Sequence, residues 1–385
     1  MSKLKELIQK LCPNGVEFKK LGDVCNFING FAFKSSLFKE KGEIIIRITN
    51  INGTSIELDD VKYFNLSDYN TDLQSFIVRY GDILIAMSGA TTGKVGCYYY
   101  KNKAYLNQRV GKFVPNKKKL NNRYLFHFLC SITTELYVMA GGGAQPNLSS
   151  TKLMNNVVIP LPHLEVQNEI VRILDTFTSH TAELQAELQA RKEQYEYYRN
   201  KLLTFDKDDK NVKWMKLGEI SNVVSGKNKE KNSIGTYPVY GSTGIIAYTE
   251  NFSYCDERIL VARVGANAGY THIASGKYDV SDNTLVVDVK GHINFKYVYY
   301  SLVNLNLNKY AKGGGQPLIT AGEIKTIQIP IPPLSEQQRI VSILDKFESL
   351  VNNLTEGLPA EIAAVQEQYE YYRNKLLSFP EIKEL

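Results

Sequence analysis

The eleven residues Glu193-Gln194-Tyr195-Glu196-Tyr197-Tyr198-Arg199-Asn200-Lys201-Leu202-Leu203 return unchanged at Glu367 to Leu377. An exact repeat of that length marks a duplication, and a duplicated chain folds as two similar halves. The repeat reaches further. Val16-Glu17-Phe18-Lys19-Lys20-Leu21-Gly22-Asp23-Val24 is answered by Val212-Lys213-Trp214-Met215-Lys216-Leu217-Gly218-Glu219-Ile220. Ile83-Leu84-Ile85-Ala86, Gly89-Ala90, Gly93 and Asn107 correspond to Ile259-Leu260-Val261-Ala262, Gly265-Ala266, Gly269 and Asn283, at one constant offset (83 to 259, 107 to 283). A constant offset over that span predicts one strand-loop-strand unit built twice.

Residues 1 to 20 hold a short amphipathic helix (Leu4, Ile8, Leu11) and a turn at Pro13-Asn14-Gly15. From there to about residue 125, short runs of Val, Ile, Tyr and Phe divided by Gly, Asn and Ser read as strands and turns. A helical stretch near Tyr124 to Met139 leads to Gly141-Gly142-Gly143-Ala144-Gln145-Pro146, and Tyr297 to Tyr310 leads to Gly313-Gly314-Gly315-Gln316-Pro317. Val157 to Pro162 and Ile327 to Pro333 each predict an edge strand stopped by prolines, which cannot donate to a ladder. A long helix follows each.

In the first helix Leu174, Phe177, Thr181, Leu184, Leu188, Arg191, Tyr195, Tyr198 and Leu202 recur in steps of three and four, the seam of a coiled coil. The second runs Leu344, Phe347, Val351, Leu354, Leu358, Ile362, Val365, Tyr369, Tyr372, Leu376. It carries four extra residues between its aspartate (Asp345, against Asp175) and its tyrosine (Tyr369, against Tyr195). An insertion of four is a stutter, and Gly357 and Pro359 at that point predict a break. Ser335-Glu336-Gln337-Gln338 has the pattern of a capping box. The first helix, about Glu165 to Leu203, is about 58 Å long, a rod that separates domains. The expected boundaries are 1–20, 21–162, 163–205, a charged linker at 206–213, 214–333, 334–379 and 380–385.

Catalytic motifs are incomplete wherever they begin. Gly89-Ala90-Thr91-Thr92-Gly93-Lys94 has Ser88 and Val95 where a phosphate loop needs Gly and Ser or Thr. The Pro332-Pro333 pair is followed by Leu334, unlike the base-flipping motif of a methyltransferase. Glu323-Ile324-Lys325 and Glu381-Ile382-Lys383 lack the preceding aspartate of a nuclease. The five cysteines and five histidines show no metal-ligand spacing, and no cysteine pair suggests a disulfide framework. The expectation is no catalytic residue and no metal. Apolar runs are strand-sized and Met1-Ser2-Lys3-Leu4-Lys5 opens no signal core, so a cytoplasmic chain without a membrane anchor is expected. A net charge of +6 permits nucleic-acid binding and equally fits a solvated basic surface.

Taken together, the duplicated Gln167-x-x-Ile170-x-x-x-Leu174-Asp175 and Gln337-x-x-Ile340-x-x-x-Leu344-Asp345, the eleven-residue repeat, and Asn29-Gly30-Phe31-Ala32-Phe33-Lys34-Ser35 make the chain resemble a specificity subunit of Type I restriction-modification systems. The resemblance covers nearly the whole sequence. It implies an α+β fold with two β-rich target recognition domains separated by two long antiparallel coiled-coil helices, in pseudo-twofold symmetry. Each domain would read one half of a split sequence in double-stranded DNA. The helices would set the spacer and dock two methyltransferase subunits, with restriction subunits joining through that core. AdoMet, Mg²⁺ and ATP would belong to those partners, and this chain would carry no cofactor. The alternatives are a stand-alone restriction or methylation enzyme and a coiled-coil scaffold for protein binding.

Base readout needs directed donors and acceptors on loops, Arg or Lys for guanine and Asn or Gln for adenine. The first half offers Lys34, Ser35, Arg47, Asn50, Ser88, Thr91, Thr92, Lys94, Asn107, Gln108, Arg109 and Gln145. The second offers Lys227, Lys229, Tyr240, Ser242, Thr243, Arg263, Asn267, Asn283 and Gln316. A solvated turn residue is the competing reading of each. On the helices, Glu193, Glu196, Arg199 and Lys201 are candidate partner contacts, with solvated helix charges as the alternative.

Overall fold

A computed structural model of the chain describes residues 2–143, 145–228, 234–352 and 357–382. They form two compact units, Met1–Glu183 with Ile362–Leu385, and Leu184–Glu361. Each unit combines one β-rich domain, half of the first long helix and part of the second.

In the first unit the strand Glu17–Lys20 pairs antiparallel with Val158–Leu161, setting Phe18 opposite Pro160. The second unit repeats the ribbon with Lys213–Lys216 and Gln328–Ile331, setting Trp214 opposite Pro330. Pro160 and Pro330 thus lie inside their strands, and the strands stop only before Pro162 and Pro332. In a two-stranded ribbon each strand has an open side, so a missing N–H is tolerated.

The main sheet of the first unit runs Cys25–Asn29, Val110–Pro115, Ile83–Ala86, Val95–Cys97, and that of the second runs Ser221–Ser225, Thr284–Val289, Arg258–Ala262, Thr271–Ala274, in the same order. The central strand is apolar throughout because both faces are covered. Ile83 and Ile85 pack with Leu125 and Leu129 of the helix Asn122–Ser131, while Leu84 and Ala86 face Ile46 and Leu106 of a second sheet. The second unit keeps the arrangement, with Ile259 and Val261 against Val298 and Leu302 of the helix Phe295–Leu305, and Leu260 against Tyr278 and Val280. Its second sheet is smaller, three strands (Gly244–Thr249, Tyr237–Gly241, Asp279–Val280) against four.

The first long helix is continuous over Leu164–Leu203. The second is two helices, Leu334–Asn352 and Leu358–Leu376, broken where Gly357 and Pro359 place the break. Of the expected seam, Leu354 lies outside the described residues. In the first unit Leu174 and Leu376 are buried and Phe177 stacks on Tyr372. In the second, Leu184, Tyr195, Leu344 and Val351 are buried, Leu188 and Leu202 pack beside them, and Tyr198 stacks on Phe347. Each unit thus holds one such stack between the first long helix and the second. Val365 is buried as well.

The capping box at Ser335 is replaced by another device. The helix starts at Leu334, so Ser335 lies inside its first turn, and the buried Gln337 acts instead. Its Oε1 accepts the Asn294 N–H (2.9 Å) and its Nε2 donates to the Pro332 carbonyl (2.8 Å). Gln167 does the same with the Asn121 N–H (2.8 Å) and the Pro162 carbonyl (2.8 Å). The first unit is closed by its two chain ends. The Val16 N–H donates to the Pro380 carbonyl (2.9 Å) and the Ile382 N–H to the Val16 carbonyl (3.1 Å). The counterpart of Val16 is Val212, which follows the first eleven-residue copy along a continuous chain.

Candidate nucleic-acid interface

Five candidate-bearing loops of the first unit are tied together by hydrogen bonds to backbone carbonyls. The glycine turn 88–94 receives its geometry from Gly89 (φ 79) and Gly93 (φ 83), which occupy the left-handed region that side-chain-bearing residues avoid. From this turn the Gly89 N–H donates to the Pro146 carbonyl (3.2 Å), next to Gln145. The preceding Met87 N–H donates to the Arg109 carbonyl (2.9 Å), and the Thr91 hydroxyl to the Ile48 carbonyl (3.0 Å). The Phe31 N–H donates to the Leu106 carbonyl (2.9 Å), and a Cβ at Gly30 would run into the Asn107 carbonyl. Lys34 and Ser35 follow on an exposed segment anchored by Phe31 and Phe33, whose rings pack on Tyr69.

The second unit builds the same cluster. Gly265 (φ 79) and Gly269 (φ 92) shape the turn. The Gly265 N–H donates to the Pro317 carbonyl (2.9 Å), next to Gln316, and the Arg263 N–H to the Asn283 carbonyl (2.9 Å). Ser242 Oγ donates to that same carbonyl (2.7 Å), and Asn267 Nδ2 donates to the Ser242 carbonyl (3.1 Å). The Lys227 N–H reaches the Val280 carbonyl (3.0 Å). Lys229 lies outside the described residues.

Not every candidate presents a free polar group. Asn50 is buried: its Oδ1 accepts the Arg47 N–H (2.9 Å), and its Nδ2 donates to the Glu57 and Asp60 carbonyls (3.0 Å each). Thr92 is buried with its hydroxyl on the Gly89 carbonyl (2.7 Å). Both organise loops and cannot reach a base edge. Arg47 is ion-paired with Asp60 (3.0 Å), Ser88 and Tyr240 are half-buried, and Asn107 Oδ1 accepts the Gln108 N–H (2.9 Å). The exposed set is Lys34, Ser35, Gln108, Arg109, Gln145, Lys227, Thr243, Asn267, Asn283 and Gln316, with Lys94, Ser242 and Arg263 partly exposed.

The duplicated Gln-x-x-Ile-x-x-x-Leu-Asp motif is the face that docks each helix on its domain. Ile170, Leu174, Ile340 and Leu344 are fully buried. In the first unit Asp175 accepts from Arg123 Nη2 (2.5 Å) and His127 Nε2 (2.8 Å), and Tyr369 donates to His127 Nδ1 (2.9 Å). Burial works to raise the Asp175 pKa, but the bonds from His127 and Arg123 outweigh it and pull it down to about 2. His127 is completely enclosed, and burial pushes its pKa below the ordinary histidine value despite the Asp175 bond. In the second unit Lys296 and Tyr300 take these places, binding Asp345 at 2.8 Å and 2.6 Å. The sequence shows this motif as duplicated; its docking role becomes visible only when partners tens of residues away are brought to it.

Among the proposed partner contacts, Glu193, Glu196 and Lys201 are exposed. Arg199 is half-buried with its guanidinium over the Tyr195 ring (5.0 Å), as Arg373 lies over Tyr369 (5.2 Å). It belongs to the seam as much as to the outer face. Among the described residues no group of three or more His, Cys, Asp or Glu could hold a metal ion, and no helix is long and apolar enough to cross a membrane.

The family model of the Type I restriction modification DNA specificity domain matches residues 13–194 and again 209–364. The chain is 33% identical to the type I restriction enzyme EcoR124I/EcoR124II specificity subunit of Escherichia coli, over 77% of this chain and 80% of that one. It is 31% identical, over 98% of its own length and all of the other's, to a Haemophilus influenzae chain that carries the name of a type I restriction enzyme specificity subunit. The crystal structure of a Type I restriction-modification S subunit from M. genitalium has the same fold, with a TM-score of 0.60 at 15% identity over 94% of this chain and 96% of that one. With two model matches that together span most of its length, on two units of one architecture, the chain belongs to the Type I restriction-modification DNA specificity family.

Proposed function

We infer that this chain is the DNA-specificity subunit of a Type I restriction-modification complex, each unit reading one half of a bipartite target through its loop cluster. The observation that carries the reading is the duplicated turn, Gly89 to Gly93 and Gly265 to Gly269. Its backbone is the same twice while its side chains differ, as two readers of two different half-sites require. The exposed residues of both loop clusters would make the base and phosphate contacts, the basic ones giving a steep salt dependence. The helix pair would set the gap between half-sites about one DNA turn, roughly 34 Å, apart. Its outer face at Glu193, Glu196 and Lys201 would dock two methyltransferase subunits, with restriction subunits joining through them. AdoMet, Mg²⁺ and ATP would serve those partners, and the complex would act in the cytoplasm on host and incoming DNA.

The test is co-expression with the methyltransferase subunit of the same system, followed by methylation-sensitive sequencing of host DNA. A motif of two short defined halves around an unspecified gap is expected. A contiguous motif, or no motif, contradicts the reading.

A further inference from the structure

The two glycine turns form an internal control on the side chains each unit presents. At the last position of the turn the first unit carries Lys94 and the second Tyr270, held by equivalent hydrogen bonds. The Lys94 N–H donates to the Thr91 carbonyl (3.0 Å) and the Tyr270 N–H to the Asn267 carbonyl (2.8 Å). The Ala86 and Ala262 N–H groups donate to the carbonyls of Lys94 (3.0 Å) and Tyr270 (2.8 Å). One backbone thus displays an ammonium in one unit and a phenol ring in the other.

Tyr270 is 61% exposed, yet its ring is packed. Its ring stacks on His272 (5.7 Å, 26°), which leans on Tyr240 (5.6 Å, 46°), which in turn meets Tyr278 edge-on (5.5 Å, 88°). Both ring nitrogens of His272 are buried without a hydrogen-bond partner among the described residues, so rings are what this imidazole offers its neighbours. Among the described residues the first unit has no such platform: Gly96 stands at the position of His272, and a Cβ there would meet Ile56 and Ser55 at 2.7 Å. An aromatic side chain held rigid loses little freedom on binding, which suits a contact that must discriminate.

We propose that Tyr270 is a specificity-determining residue of the second unit, its ring making apolar contact with a base edge such as the thymine methyl, where Lys94 in the first unit addresses guanine acceptors. Asn267, beside it in the turn, commits one Nδ2 N–H to the Ser242 carbonyl, which leaves its oxygen and its second N–H for a partner. This inference rests on the reading of the chain as a two-half DNA reader. Failure of that parent reading would show in the unaltered chain, as the absence of a bipartite motif.

The experiment is methylation sequencing with the co-expressed complex carrying Tyr270→Ala, Tyr270→Phe or Tyr270→Lys. Tyr270→Ala should relax one position of one half-site by roughly tenfold to a hundredfold, the span of a single mismatched base pair, and leave the other half intact. Tyr270→Phe should keep the native motif, and Tyr270→Lys should shift that one position toward guanine. If alanine abolishes methylation altogether, the other two variants decide, since an unchanged phenylalanine motif with a shifted lysine motif still requires the ring contact. Full discrimination in Tyr270→Ala, loss of the motif in Tyr270→Phe, or an unshifted motif in Tyr270→Lys overturns the assignment.

Discussion

Phe177 stacks on Tyr372 with ring centroids 5.5 Å apart and planes inclined by 24°. The corresponding residues of the other unit, Phe347 and Tyr198, stack at 5.6 Å and 22°. Each pair joins a phenylalanine two residues after the docking aspartate to a tyrosine of the eleven-residue repeat carried by the other long helix. The repeat is thus one half of a joint that occurs twice.

Removing one ring of the joint should weaken its unit. Phe177 and Phe347 are half-buried, so Phe177→Ala and Phe347→Ala should each cost about 1–3 kcal/mol, below the range for a fully buried ring. The two losses should add, because they lie in different units. Tyr372→Phe, which keeps the ring, should be close to neutral. Urea unfolding of the full chain measures the two alanine variants, their combination and Tyr372→Phe.

The His127 node makes the first unit acid-sensitive. Burial holds the folded-state pKa of His127 below its unfolded value, so protons bind the unfolded chain first as pH falls through about 6.5, and stability drops. Asp175, held at about 2, adds a second loss between about pH 4 and 2. Groups facing the node are Arg123 on the domain helix and Tyr369 and Arg373 on the distal one. His127→Gln should lose less stability than the parent chain between pH 7.5 and 5.5 in denaturant unfolding. An equal loss would assign that window to other histidines.

Closure of the chain ends depends on Gly15. It sits at φ 100, and a Cβ there would lie 2.5 Å from the Pro380 carbonyl oxygen. Gly15→Ala should therefore cost about 1–3 kcal/mol and expose the C-terminal segment to protease. Gly141→Ala, at the same φ but with open space around its Cβ, should cost less, and thermal unfolding of both variants measures the difference.

A spacer set by the helix pair responds to helix length. Four residues inserted after Ala186, within Leu164–Leu203, add about 6 Å and rotate the helix beyond the insertion by about 40°. The gap in the methylated motif should lengthen while both halves keep their sequence. An unchanged gap would remove the helix as the ruler.

Much of this architecture is legible in the residues, because a duplication supplies its own comparison. The offset linking Ile83 to Ile259 and Gly89 to Gly265 places the central strand and the turn without coordinates. Gly357 and Pro359 likewise place the helix break. Long-range satisfaction of polar groups stays hidden. Asn50 and Thr92 look like free donors until their loops fold back on them, and Ser335 looks like a cap until Gln337 reaches Asn294. Pro160 reads as a strand terminator because sequence does not say that the ribbon has only two strands. Tyr270 escapes a search for directed donors because its setting depends on Tyr240, which only tertiary packing brings against His272, two residues along the chain from Tyr270.

The central claim is that each unit reads its own half of the target. Its most direct test replaces residues 21 to 155 with the corresponding segment of another specificity subunit and sequences the methylated DNA. The account predicts that one half of the motif changes while the other half and its orientation remain. A change in both halves, or in neither, would contradict it.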